Sequence, residues 1–483
     1  MRRVVIVGGG TSGLAAAHHL FEKSRDEKLS LEILLLEAGP ELGGVVRSIK
    51  RDGFLLEAGP DSFISEKPEA LALVQRTGLA TRLIETNTEH RRSFIVGGGR
   101  LHPVPEGFQL LAPTRLWPFV TTGIFSWTGK ARMALDLILP RRRERELDDE
   151  SLAEFVRRRL GREALERMAQ PMVGGIYTAD PERLSLRATM PRFLEMERAH
   201  RSLIWAMLKQ RRRQSATQAN GTSGPRYSLF LSFDEGMQVL VDHLAGLLPE
   251  GCVRLGKRVE WLGFDESRRQ WNLSLERGER LSADAVCLAL PAYSAASLLR
   301  ETDALVAEEL ETIPYASTAT INLAYKREDI PHSLDGFGFV VPFAERRSTL
   351  ACTFSSVKFK GRAPAGRVLL RAFVGGALQP EKFALDEEEM TAAVQADLRD
   401  LLGIERPPLF SLVSKWPRSM AQYHLGHNDK MKAIRQRLGR FPTLQLAGNA
   451  YGGAGIPDCV RSGEAAADKI LEAMNSESKL VDV

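Results

Sequence analysis

Cysteine is scarce. The four in the chain, Cys252, Cys287, Cys352 and Cys459, are widely scattered and form neither a disulfide framework nor a metal-type spacing. They suit reduced thiols in a cytoplasmic core. Long apolar runs are missing as well. Residues 108–139 are the most apolar long stretch, but Pro113, Arg115, Pro118, Lys130 and Arg132 interrupt it. A membrane span needs about 20 apolar residues in a row, so any membrane contact is expected to be peripheral. No leader is expected, because Met1-Arg2-Arg3 runs directly into a strand. Charge of one sign is nearly absent in net terms: 66 basic against 61 acidic residues leave +5, too mild for nucleic acid as a partner. No Ser/His/Asp or paired-carboxylate arrangement stands out, and His102 and His332 read as surface or core residues.

What is present describes a folded protein of more than one unit. Hydrophobic content of 43% and charged content of 26% are globular values, and 483 residues exceed what one core usually organises. Three arginine triplets, at 141–143, 157–159 and 211–213, fall in the second quarter. They read as solvated helix faces or as a surface for an anionic lipid or substrate.

The apolar run Val4-Val5-Ile6-Val7 suits a buried parallel strand. It is followed by Gly8-Gly9-Gly10-Thr11-Ser12-Gly13 and then by a helix rich in alanine. A second strand, 31–36, ends at Glu37. In this context Gly8 permits the tight turn, Gly10 lets the backbone approach a diphosphate, and Gly13 allows strand–helix packing. Glu37 is placed to bind ribose hydroxyls and repels a 2′-phosphate. Next come Gly43-Gly44 and Arg47, which extend the site along a longer cofactor and point to FAD rather than NAD. Gly97-Gly98-Gly99 lies in a hairpin-like segment, 94–103, so there is no second dinucleotide site. Strands at 285–290 and 444–447 and a helix at 463–473 complete the same α/β unit.

The expected architecture is an FAD-binding Rossmann-like domain from discontinuous segments (1–80, 226–291 and 436–483). An α+β substrate-binding domain takes 81–96 and 292–435, a helical insert takes 97–210, and 211–225 is a flexible polar loop.

The glycine fingerprint, the GG-x-x-R stretch and residues 448–458 (GNAYGGAGIPD) resemble the flavin amine oxidase/phytoene desaturase superfamily. Residues 171–191, 92–102 and 354–364 are similar to segments of the oxygen-dependent porphyrinogen oxidases of haem biosynthesis, the protoporphyrinogen/coproporphyrinogen oxidase family. That resemblance implies six-electron oxidation of a porphyrinogen, with hydride transfer to flavin N5, oxygen as electron acceptor and no assigned side-chain base. It implies that Arg92 pairs a propionate, Phe359 packs on the macrocycle and Val341 adds apolar contact. Val259 would hold the adenine through its backbone. Trp416, Gly448, Gly455, Ile456 and Pro457 would lie at the flavin. The insert would associate with the membrane through Trp117, Phe119, Phe125 and Trp127, although those aromatics also suit a buried core. A homodimer is compatible with this reading, no metal is called for, and coproporphyrinogen III and protoporphyrinogen IX stay open as substrates. The rival readings are an amine oxidase or carotenoid desaturase, and a non-enzymatic lipid-escort relative.

Overall fold

The computed structural model describes the chain except residues 106, 107, 110, 111, 114, 143–148, 211–228, 482 and 483. The expected loop 211–225 and Arg143, Arg211, Arg212 and Arg213 therefore lie outside the described residues.

Strand β1 (Arg2–Val7) leads through the glycine turn into α1 (Thr11–Asp26), and β2 (Leu31–Leu36) follows. Three distant segments join them: β3 (Val253–Arg254), β4 (Ala285–Leu288) and β5 (Leu444–Leu446). The sheet order is β3-β2-β1-β4-β5, with every pairing parallel. Alternation along β1 explains how both faces are buried. Val4 and Ile6 enter the core formed with α1 and with α2 (Ile456–Val481). Val5 and Val7 enter the opposite core, beneath the three-stranded sheet 259–283 and the helices Ala292–Leu299 and Ala304–Glu311. α2 starts seven residues before the expected 463, with Pro457 in its first turn, where a missing N–H costs nothing. Its Gly463 is needed for packing, because a side chain there would overlap the Ser12 carbonyl of α1.

The segment that leads to Val259 forms two strands. Gly256, at φ +64°, breaks it. Val253–Arg254 joins β2 in parallel, whereas Val259–Asp265 pairs antiparallel with Gln270–Leu275.

A seven-stranded sheet carries, in order, Phe410–Ala421, Tyr315–Lys326, Arg367–Gly375, Ala351–Phe354, Gly338–Val340, Phe94–Gly97 and Arg100–Pro103. The hairpin at 94–103 is part of this sheet, so the expected boundary at 97 would cut paired strands. On one face Ile321, Leu323, Leu370, Ala372 and Val374 pack with Met390, Val394 and Leu398 of the helix Glu387–Leu402. Val341 belongs to that same core. This corrects its expected place at the substrate: Val340, one residue earlier, packs toward the insert instead. The other face of the two long strands carries Thr318, Thr320, Asn322, Arg371 and Phe373.

The insert has a core of its own, including Phe155, Met168, Leu184 and Phe193. Two of its arginines, Arg158 and Arg159, are held by internal carboxylates. Arg159 and Asp136 are both 0% exposed and ion-paired; Arg158 bonds Glu150 and Glu197, and Arg157 pairs with Glu182. In the triplet at 157–159 only Arg157 lies on an exposed helix face, paired with Glu182; Arg158 is half-buried and Arg159 buried, so the three do not form an open anion surface. Phe119 and Phe125 are buried together, with ring centroids 5.9 Å apart. Trp117 and Trp127 are 76% and 73% exposed. Among the described residues no helix is long and apolar enough to cross a membrane.

Candidate functional site

The glycine turn shows three distinct constraints. Gly8 lies at φ +108°, where a side chain would overlap the Ala289 carbonyl. A Cβ on Gly13 would run into the Gly8 carbonyl oxygen, so this glycine lets α1 lean on the turn. At Gly10 nothing lies within 4 Å of the Cβ position. This residue caps α1 without a side-chain hydrogen bond, and no acidic residue occupies the first turn. The positive helix end thus faces open space, as an anion requires.

The second glycine pair docks on this turn. Gly43 N donates to Gly9 O at 2.9 Å, and a Cβ on Gly44 would sit 3.5 Å from Gly10 Cα. Glu37 accepts from Gly9 N and Gly39 N, each at 2.7 Å. Lys257 N donates to Glu37 O at 2.8 Å, which brings the segment before Val259 to the end of β2. Arg47 is exposed and lies 3.5 Å from Glu41. At the C-terminal motif, Gly448 adopts φ +141° and donates from its N–H to Ser462 Oγ of α2 at 3.0 Å. Gly455 is exposed, while Ile456 and Pro457 are buried as α2 begins. Buried Asp458 anchors this start: Lys67 Nζ and Arg461 Nη2 each lie at 2.6 Å and Gly455 N at 3.3 Å. The open space at Gly10, between the α1 N-terminus and Gly44, is a trough that fits the diphosphate of a dinucleotide.

A line of contacts runs from this trough to the seven-stranded sheet. Ala58 N donates to Arg47 O at 2.9 Å, and a side chain on Gly59 would overlap the Val45 carbonyl. The Ala58 carbonyl accepts from Thr320 Oγ1 at 2.6 Å and Trp416 Nε1 at 2.7 Å. Asn322 Nδ2 donates to Glu57 O at 3.0 Å. Trp416 pairs in register with Thr318. Thr318, Val340, Thr353, Phe373 and Trp416 are only half-buried although they sit inside the sheet, so this face opens onto a space.

Cations gather at the edge of that space. Lys358 Nζ holds Asp61 Oδ2 at 3.0 Å and Oδ1 at 3.1 Å. Burial alone would raise the Asp61 carboxyl, but Lys358 and Arg371 outweigh it and hold it below the usual carboxylate range. Arg362 is buried and donates to Ser232 Oγ at 2.8 Å and to Phe233 O at 2.9 Å. Phe359 is 1% exposed, its ring 5.1 Å from Lys358 Nζ and 5.5 Å from Arg362 Cζ. It sits behind the cations as a core ring, not as an open platform. Arg92 lies outside, exposed, 3.2 Å from Asp335. His102 and His332 make only backbone bonds, to Gly97 O and from Leu334 N.

Glu57 is a buried carboxyl in this wall. Burial pushes it up to about 7 from 4.5, against hydrogen bonds from Ser48 and the Met237 N–H. Folded Glu57 thus keeps its proton at pH values where the unfolded chain has lost it. Its contribution to stability is complete below pH 4.5 and falls away as pH rises toward 7. Glu57→Gln should flatten that decline. Melting temperatures of both proteins across this range check it; parallel curves would contradict it.

The glycine turn and Glu37 meet in space, with Gly9 N donating to Glu37 Oε2 at 2.7 Å, whereas Asp61 and Arg371 are not among the expected site residues. The missed signal was alternation: Thr318, Thr320 and Asn322 interleave with Ala319, Ile321 and Leu323, a strand with one polar face.

Comparison with known proteins adds an independent observation. Residues 11–471 match the model of the flavin containing amine oxidoreductases. The coproporphyrinogen III oxidase of Bacillus subtilis (strain 168) is 36% identical, over 97% of this chain and 98% of its own length. That of Propionibacterium freudenreichii subsp. freudenreichii is 37% identical, over 97% and 91%. A crystal structure from Exiguobacterium sp. 255-15, assigned as a protoporphyrinogen oxidase, superposes with a TM-score of 0.84 at 32% identity, covering 98% of this chain and 99% of that one.

Proposed function

Because the chain belongs to the flavin containing amine oxidoreductases, we propose that it oxidises coproporphyrinogen III to the porphyrin in haem biosynthesis, with FAD as cofactor and oxygen as final acceptor. The observation that carries this reading is the half-open face beside the glycine trough, apolar at Val340 and Phe373, with Arg371 on the same face and the Lys358–Asp61 pair next to it. A flexible macrocycle bearing carboxylates matches such a wall. An amine or a carotenoid does not. Relatives at 36 and 37% identity named coproporphyrinogen III oxidases support the tetracarboxylate over the dicarboxylate.

Bound FAD supplies a two-electron acceptor, at N5, that oxygen regenerates. The chain's own residues position and shield. Gly8, Gly10, Gly13 and Gly44 with the α1 N-terminus hold the diphosphate, with Arg47 adding charge. Glu37 takes the ribose and the backbone at Val259 the adenine. Gly448, Gly455, Ile456 and Pro457 bring the α2 N-terminus to the ring, and Trp416 fixes the wall through Ala58. Arg92 takes a propionate at the rim. Phe359 supports the cations instead of touching the macrocycle. Catalysis is then mostly orientation and exclusion of water. The FAD unit comprises 1–80, 226–291 and 436–483, and the substrate unit 81–103 and 292–435, with the helical insert from 104 to 210.

Turnover tests the reading. Aerobic reaction with coproporphyrinogen III should release hydrogen peroxide and porphyrin in a ratio of three to one, as three two-electron steps require. Absence of porphyrin would reject it.

The insert rests on the cytoplasmic membrane surface through Trp117, Trp127 and Ile138, all exposed. The protein should float with anionic liposomes, and Trp117→Ser with Trp127→Ser should return it to the soluble fraction. Wild type that never floats would remove the membrane role.

A further inference from the structure

Arg371 is 4% exposed, yet its Nε and Nη1 have no hydrogen-bond partner. Its nearest carboxylate oxygen, Asp61 Oδ2, is 3.9 Å from Nη1. Asp61 is already taken: Lys358 Nζ bonds both its oxygens, and Ser62 Oγ donates to Oδ1 at 2.7 Å. Glu57 is engaged by Ser48 Oγ at 2.7 Å and Met237 N at 2.9 Å. Of the three cations here, Lys358 takes Asp61, Arg362 bonds Ser232 and Phe233 O, and Glu57 is occupied by Ser48 and Met237, which leaves Arg371 without a hydrogen-bonded anion. A buried guanidinium without an anion is costly, and its unmade hydrogen bonds add to that cost. Arg371 stands within ion-pair range of Asp61 but makes no hydrogen bond to a carboxylate.

An anion that would bond Arg371 can be placed. Arg371 sits opposite Asn322 on one neighbouring strand and Thr353 on the other. Its guanidinium lies 4.6 Å above the ring of Phe373, which is half-open to the site. On the paired strand the buried Asn322 Oδ1, an acceptor, also lacks a partner. Two unmet guanidinium N–H donors at the inner end of an open, partly apolar face have the chemistry of a carboxylate receptor.

We propose that Arg371 is a specificity-determining residue that binds one carboxylate of the porphyrinogen, in addition to the rim contact at Arg92. This rests on the function proposed above. It accounts for a preference for four carboxylates over two, because the substrate with fewer propionates leaves Arg371 unpaired. The vinyl-bearing substrate then pays the unmet hydrogen bonds of a buried charge, and the tetracarboxylate does not.

The test compares wild type, Arg371→Gln and Arg371→Lys with coproporphyrinogen III and protoporphyrinogen IX, FAD content being measured in each. Arg371→Gln should lower kcat/KM for coproporphyrinogen III by roughly 10- to 100-fold, the worth of a charged hydrogen bond, chiefly through KM. Its effect on protoporphyrinogen IX should be several-fold smaller, with FAD content unchanged. Arg371→Lys, which keeps the charge, should restore part of the preference, and it decides the matter should the glutamine variant fail to fold. Equal losses on both substrates would overturn the assignment. So would unchanged kinetics, which would mean that water satisfies the guanidinium, and so would loss of FAD. Each of these leaves the proposed function standing. A wild type that oxidises neither porphyrinogen would reject that function, and this inference with it.

Discussion

Gly10→Val should yield a folded protein without flavin. Gly10 has φ −73°, which any residue adopts, and no protein atom lies within 4 Å of its Cβ position. The substitution therefore costs the apo fold little. The added side chain instead projects into the trough between the α1 N-terminus and Gly44, the space a diphosphate needs. FAD affinity should fall at least ~100-fold, about 3 kcal/mol. Gly13→Val provides the contrast, because its side chain would collide with the Gly8 carbonyl, inside the protein. It should lower apo melting temperature and flavin content together. Flavin absorbance per protein, with melting of the deflavinated forms, separates the two effects. A yellow Gly10→Val protein would mean that the cofactor lies elsewhere.

The second large effect concerns stability. Asp136→Ala should destabilise the insert by about 3–5 kcal/mol, the usual outcome when one partner of a buried ion pair is removed. The carboxylate is fully enclosed. It accepts from Arg159 Nε at 2.7 Å, Ser202 Oγ at 2.6 Å and Ile204 N at 3.0 Å. Without it, Arg159 keeps carbonyl partners at Pro140 and Arg201 but loses its anion, apart from Glu197 at 3.6 Å. Urea denaturation should show an earlier transition for the insert while the FAD unit keeps its flavin. A shift below about 1 kcal/mol would mean that the pair is solvent-relaxed.

These two sites differ in how far the sequence disclosed them. The glycine turn was legible because its chemistry is local: strand, Gly8, Gly10, Gly13 and the acid ending the next strand lie within 37 residues. The Arg157–Arg159 triplet was not, because burial of Arg159 depends on Asp136 and on the 201–204 segment meeting it in space. The proposed substrate wall was legible only as resemblance. Whether Val340 or Val341 faces the site turns on a single residue of strand register, and the pairing of Asn322 with Arg371 joins positions 49 apart in the chain. Phe359 lies buried beside Lys358 and Arg362, and its sequence spacing does not disclose which side of Lys358 it fills.

The central claim, that the flavin trough serves a carboxylate-bearing macrocycle, is tested most directly by anaerobic flavin reduction. Mixed with coproporphyrinogen III, the holoenzyme should bleach, and faster than with protoporphyrinogen IX. A flavin that stays oxidised with both porphyrinogens, and bleaches with an amine or a carotenoid, would contradict it.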